Sequence, residues 1–215
     1  IIQERSYAFA MKSQMWLLDP RPNLPSMVEM TRKAFDLSEA SNTPVMMQLR
    51  IRACHLYGEF AALDNKRPKT TVAEALENPV FAKEKIVLPP AIFAHEKAKI
   101  EERLPNAVRH IKAAGLNEIF NGGESAIGIV TQGGLYNQVI RSLQMLNLAD
   151  AYGVGSIPLY VLNVVYPLID DEILAFCEGK KSVLLVEEGQ PNYIEQALNT
   201  ILRQNGRQTV VEGKS

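Results

Sequence analysis

Two groups of polar residues have types and spacing suited to chemistry. The first is Glu187-Glu188, adjacent acids that end the apolar run Val183–Val186 and are followed at once by Gly189-Gln190-Pro191. Paired carboxylates with perturbed pKa values serve as general acid and base when a reacting group lies near them. Acids just ahead of a helix also favour the positive end of its dipole, with Gly-Gln-Pro turning the chain. On residue chemistry alone the second reading is the stronger. The second group is Arg50, Arg52 and His55 in QLRIRACH. Read as the continuation of a strand over Val45–Ile51, this stretch places Arg50 and Arg52 on one face. An arginine pair beside a histidine suits a small carboxylate. It equally suits a salt bridge to a neighbouring domain, and the residues alone leave both open.

Other polar features carry less. Thr131–Gln138, TQGGLYNQ, joins a strand to a helix, where backbone N–H groups can hold a phosphate. It lacks the G-x-G-x-x-G spacing and the P-loop lysine, so its two glycines read as a tight turn. His95 and His110 stand in charged, helical surroundings and read as solvated surface. No metal-ligating constellation can be assembled. Cys54 and Cys177 are far apart, which excludes a disulfide framework, a cysteine-rich zinc site and an iron–sulfur cluster held by this chain alone. A reducing, cytoplasmic home is expected. A net charge of −1 argues against nucleic acid or an anionic membrane as a main partner, and no apolar run reaches membrane-spanning length.

The elements that must position these groups fall into three stretches of the 215 residues. Residues 1–58 hold an irregular start through LLDPRPNLP, a helix opened by a Ser26/Glu29 capping box, and the strand candidate Val45–Ile51. Residues 59–123 are charge-rich and broken by prolines, an ordered connector with one or two helices between Phe93 and Ala114. Residues 124–215 alternate short apolar runs with amphipathic helices. Strands are expected near 126–131, 157–164 and 182–187, with RQTVVEG as a further candidate. The intervening helices include one N-capped by Asp170 or Asp171 and one with Pro191 in its first turn and Gly206 as its stop. The pattern implies an α/β fold, a parallel sheet covered by helices on both faces. Residues 1–58 hold too little core to stand alone and are expected to pack on the rest. The chain begins Ile1-Ile2 and stops at VVEGKS, which reads as an internal fragment.

Taken together, these segments resemble the thiamine-diphosphate-dependent 2-oxoacid:ferredoxin oxidoreductases, and within them the indolepyruvate-oxidising branch. Residues up to RIRACH are similar to the end of that family's pyrimidine-binding domain, with Arg52 and His55 on its arginine and histidine; Gln48–Ile51 depart from its arginine-and-threonine run. GIVTQGGLYNQVIRSLQML, YPLIDDEILAFCEG and VLLVEEGQPNYIEQAL resemble its transketolase C-terminal-like domain in order and spacing. The resemblance implies a transketolase C-terminal-domain-like sheet preceded by a partial α/β remnant. It implies a parent enzyme that oxidatively decarboxylates an aryl 2-oxoacid to an acyl-CoA, using thiamine diphosphate, Mg2+ and iron–sulfur clusters and passing electrons to ferredoxin. The Gly-Asp-Gly motif, the upstream activating glutamate and a ferredoxin-type cysteine run are missing between Ile1 and Ser215. None of those cofactors is therefore expected in this piece. Its implied role is docking to the remaining domains or subunits, in a homo-oligomer, with Arg52 and His55 near the 2-oxoacid, and coenzyme A as co-substrate. Glu187, Glu188 and Gln190 are then domain-interface residues rather than an acid–base dyad. The rival is a non-catalytic interaction module of the same fold.

Overall fold

The computed structural model describes residues 6–65, 67–189 and 191–214. Its first sheet grows from a stretch with almost no sequence signal. Where an irregular start was expected, Ser6–Ser13 forms helix α1 and Trp16–Leu18 forms strand β1. WLL is fully buried, and burial rather than length makes it a strand. Helix α2, Leu24–Ser41, begins before the expected capping box. Asn23 sits in extended backbone and its side chain accepts the Ser26 N–H at 3.1 Å, with proline in the first turn. Glu29 instead pairs with Arg32 on the exposed face. Asn42, in the left-handed region at φ 48°, ends the helix and leads to β2, Val45–Met47, parallel to β1.

The strand ends at Met47, which corrects the strand expected to Ile51. The chain turns into the short helix α3, Ile51–Cys54. Helix α4, Val72–Glu77, follows, and then a long helical run of α5, Ala91–Ala98, a π-helical turn at Lys99–Arg103, and α6, Leu104–Ala113.

The second sheet has five strands: β3, Glu118–Phe120; β4, Ile127–Gln132; β5, Leu159–Leu162; β7, Ser182–Val186; and β8, Val210–Glu212. Their order is β3-β5-β4-β7-β8, parallel throughout except for the antiparallel edge strand β3. Alternate residues serve opposite faces. Val130, Tyr160, Leu162, Val183 and Leu185 pack on α8, Asp170–Cys177, and α9, Tyr193–Gln204. Ile129, Leu159 and Val161 pack on α7, Tyr136–Met145. This is an α/β sheet with helices on both faces, the fold class the periodicity predicts. Ile169, not Asp170 or Asp171, occupies the cap position of α8, and both aspartates lie inside its first turn. Pro191 precedes α9 rather than lying within it, and Gly206 just beyond that helix takes φ +65°.

The run expected as one strand over 157–164 is two. β5 stays in the five-stranded sheet, and β6, Val164–Tyr166, crosses to pair antiparallel with β1. Asn163 makes the switch, because its buried side chain supplies polar partners that a regular ladder would not need. The three-stranded sheet β2-β1-β6 is covered by α2 and α6 through Trp16, Leu18, Met30, Leu37, Ala107 and Ile111. Residues from the first stretch therefore share a sheet with residues from the last. Among the described residues, no helix is long and apolar enough to cross a membrane.

Candidate functional site

After β2 the Gln48 N–H still donates to Leu18 O at 2.7 Å, and the chain then turns so that Arg50 becomes the residue ahead of α3. Its guanidinium points inward. Arg50 Nη2 donates to Asp19 Oδ2 at 2.6 Å, and only 1% of the Asp19 side chain is exposed. Asp19 follows β1 directly, and its backbone N–H donates to Asn163 O at 2.8 Å. Burial pushes the Asp19 carboxyl above its ordinary pKa, while the charge and hydrogen bond of Arg50 and the backbone of Gly134 pull the other way. The two glycines after β4 are shaped to this pair. A side chain at Gly134 would run into Arg50 Nε and Asp19 Oδ1, and one at Gly133 into the Asp19 carbonyl and Asn163 Oδ1. Gly133–Leu135 forms a 3-10 turn, and its glycines allow close approach of β1's end as well as a tight turn.

The adjacent acids have separate partners. Glu187 Oε2 accepts the Ile194 N–H of α9 at 2.8 Å, and its other oxygen accepts from Lys214 Nζ at 3.1 Å. That side chain is 4% exposed, held at a helix N-terminus and tied by two donors. Glu188 points the other way. Its backbone N–H donates to the buried Gln132 Oε1 at 2.7 Å, while its carboxylate, 55% exposed, forms an ion pair with Arg50 Nη1. Gln190 lies outside the described residues.

These groups line a cleft of about 740 Å³ between α1, the Gln48–Arg52 segment and the turn from β7 to α9. Tyr7 of α1 stacks on Tyr193 of α9 with ring centroids 5.9 Å apart and planes at 22°. Burial, then Tyr166 and Glu187, push the Tyr7 phenol up to about 12. Arg52 is exposed and reaches the cleft lining; His55, exposed at the end of α3, does not. Arg50 and Arg52 are not on a strand. Of the residues singled out in the sequence, Arg50, Arg52, Glu187 and Glu188 come together, and His55 stands apart. His95 is half-buried, and His110, read as solvated, has a buried Nε2 with no hydrogen-bond partner among the described residues.

Sequence reasoning missed Asp19, Gln132, Tyr7 and Asn163. Asn163 did leave a signal, being the one polar residue in LYVLNVVY. A second tie runs beside the first. Arg21 binds Glu118 of β3 through two bonds, 2.6 Å from Nε and 2.8 Å from Nη2, and Asn163 Nδ2 donates to the same carboxylate at 2.8 Å. The Arg21 guanidinium also lies 4.8 Å from the Tyr136 ring centroid.

The arrangement can fix and orient an anion, since Arg50 is immobilised by a buried carboxylate. Glu187 is committed to two donors and is not placed as a free base. Among the described residues no three histidine, cysteine or acidic side chains are placed to hold a metal ion. Cys54 is exposed and Cys177 buried. The described residues thus do not fit a magnesium–diphosphate site or an iron–sulfur cluster.

The fold is shared with a 2-oxoacid:ferredoxin oxidoreductase. A solved 2-oxoglutarate:ferredoxin oxidoreductase from Magnetococcus marinus, with 2-oxoglutarate, coenzyme A and succinyl-CoA bound, covers 93% of this chain with 39% of its own, at a TM-score of 0.54 and 16% identity. In sequence the chain resembles the same family through indolepyruvate oxidoreductase subunit IorA. The protein of that name from Methanothermobacter marburgensis is 28% identical over 199 residues, 92% of this chain. The one from Methanothermobacter thermautotrophicus is 28% identical over 176 residues, 81% of this chain. The chain spans 30% and 26% of the lengths of these relatives. No protein-family model matches it.

Proposed function

We propose that this chain is a supporting part of a thiamine-diphosphate-dependent enzyme that oxidatively decarboxylates an aryl 2-oxoacid, indolepyruvate, to an acyl-CoA with ferredoxin as electron acceptor, in the cytoplasm. Residues 1–58 are the end of a pyrimidine-binding domain, 59–123 a connector, and 124–215 a transketolase C-terminal-like domain. Thiamine diphosphate, Mg2+ and iron–sulfur clusters belong to the remaining domains or subunits. Arg52 and His55 face the 2-oxoacid there, and Glu187, Glu188 and Gln190 face another domain of a homo-oligomer. What carries the reading is the sequence likeness to the two IorA subunits over most of this chain. Arg21, bound to Glu118 of β3 and donating its N–H to Asn163 at the end of β5, ties the end of β1 to the five-stranded sheet, which supports a docking role.

The alternative, a non-catalytic interaction module, is favoured by one observation. The stretch from Leu56 to Ile100 leaves Tyr57, Val80, Phe81 and Phe93 exposed, the composition of a surface that covers a partner. Anaerobic reduction of ferredoxin by indolepyruvate and coenzyme A, in the native protein purified from its source, separates the two. Turnover with indolepyruvate above pyruvate and 2-oxoglutarate is the expected result, with no micromolar thiamine diphosphate binding by the 215-residue chain alone. A native protein without 2-oxoacid oxidation would leave the module reading.

A further inference from the structure

We infer that the cleft is a binding site for an organic carboxylate with an apolar body and a hydrogen-bond donor, and that Glu188 is a built-in occupant which the ligand displaces from Arg50. This rests in part on the reading above, which places a carboxylate substrate nearby, but it assigns a different residue and a competition that reading does not contain.

Three observations carry it. First, Arg50 is a fixed cation. Nη2 is held by Asp19, and Gly134 packs against Nε, so the guanidinium cannot follow a departing partner. Second, among the described residues the Glu188 carboxylate is the one group paired with Nη1. The backbone of Glu188 is anchored separately, through its N–H to Gln132 Oε1, and Gly189 beyond it takes φ +76°. The side chain is thus free to swing into solvent without disturbing the turn, whereas Glu187 next to it is locked. Third, Gln138 lines the same cleft, and its buried Oε1 has no hydrogen-bond partner among the described residues. An acceptor left unpaired in this way calls for a donor from outside.

The walls set the class of ligand. The stacked Tyr7 and Tyr193, with Leu49 and Leu135, present aromatic and aliphatic surface over about 740 Å³, enough for an aryl group. A single carboxylate replaces the Glu188 carboxylate charge for charge. Arginine suits such an exchange because its planar, permanently charged head keeps its geometry when one carboxylate leaves and another arrives.

The test is calorimetric titration of the 215-residue chain with 3-phenyllactate, which carries a carboxylate, an aryl body and a hydroxyl donor but no keto group to be turned over. Glu188→Gln removes the internal competitor and should tighten binding roughly tenfold. Arg50→Gln should abolish it. 3-Phenylpropionate, lacking the hydroxyl, should bind several-fold more weakly than 3-phenyllactate, and Gln138→Leu should erase that difference. Unchanged affinity in Glu188→Gln overturns the inference, as does binding that survives Arg50→Gln. Inorganic phosphate competing as well as the aryl carboxylate would show an unspecific anion site and overturn it equally. If Arg50→Gln does not fold, Glu188→Gln decides alone. Binding without 2-oxoacid oxidation in the native protein would remove the proposed enzyme and leave this site standing. Oxidation with an unchanged Glu188→Gln affinity would do the reverse.

Discussion

Asp19 and Arg50 lie 31 positions apart and meet at 2.6 Å with side chains 1% and 11% exposed. The pair joins the end of β1 to the residue ahead of α3 and sits against the turn after β4. Buried ion pairs add little net stability over apolar replacements, yet removing one partner strands the other charge. Asp19→Ala should therefore cost about 3–5 kcal/mol in urea unfolding, and Asp19→Leu with Arg50→Leu should recover most of that loss. A loss below about 1 kcal/mol for the single change, within the range of an exposed pair, would show that the clamp is not formed.

Gly133 tests the close approach. A methyl there meets the Asp19 carbonyl, which is backbone, and Asn163 Oδ1, which is held in place by the Arg21 N–H. Gly133→Ala should destabilise by about 1–3 kcal/mol, as overpacking does. Gly123, at φ +68° with nothing near its missing Cβ, is the control. Ala there should cost only the backbone strain, about 1 kcal/mol. Equal thermal shifts for the two variants would mean that Gly133 is merely a turn residue.

Much of the parallel sheet was legible in the sequence, and the reasons are local. β4 and β7 are apolar runs bounded by turn residues, and α9 repeats Ile194, Leu198, Ile201 and Leu202 at helical spacing. β1 was not legible, because three apolar residues ahead of Asp-Pro have no period, and only pairing with β2 and β6 makes them a strand. β5 and β6 read as one run for the same reason. A crossing between sheets is a tertiary event, and Asn163 marks it without announcing it. At the site, Arg50 stood out by charge, but its partner lay in a stretch that prolines made look irregular. Glu187 and Glu188 are chemically identical neighbours; only the placement of Ile194, Lys214 and Arg50 gives them different partners.

The Arg21–Glu118 tie gives the fold a predictable acid response. Burial raises the Glu118 pKa, but hydrogen bonds from Arg21 and Asn163, with the charges of Arg21 and Lys33, outweigh it and leave the carboxyl below its ordinary value. A depressed folded pKa means that the unfolded chain takes up the proton first. The contribution is complete above the ordinary carboxylate range and is lost as pH falls through the depressed value. With a third of that side chain in solvent, the tie contributes about 1 kcal/mol. Glu118→Gln should lower stability at pH 7 and flatten its loss between about pH 5 and pH 3. Urea midpoints at a series of pH values measure this, followed through Trp16 emission. A variant whose acid limb stays parallel to the wild type would place the titrating group elsewhere.

The two thiols should differ sharply in reactivity, and the difference reports on the packing of α8. Cys54 is exposed at the end of α3. Cys177 closes α8 at 1% exposure, packed with Phe176, Val183 and Leu202 in the core of the parallel sheet. Burial pushes its thiol up to about 11, while Lys180 and Arg207 pull it down by less. Only the thiolate attacks a disulfide reagent, so at pH 8 roughly one Cys177 in a thousand is in the reactive form, and that one is out of reach. An aromatic disulfide reagent at pH 8 should therefore release one equivalent quickly from the native protein and the second only as α8 opens. Urea should expose both at once. Cys54→Ser should abolish the fast phase and leave the slow one, whose rate then gives the free energy of opening α8 from the sheet. Two equivalents released together from the folded wild type would contradict the packing of α8.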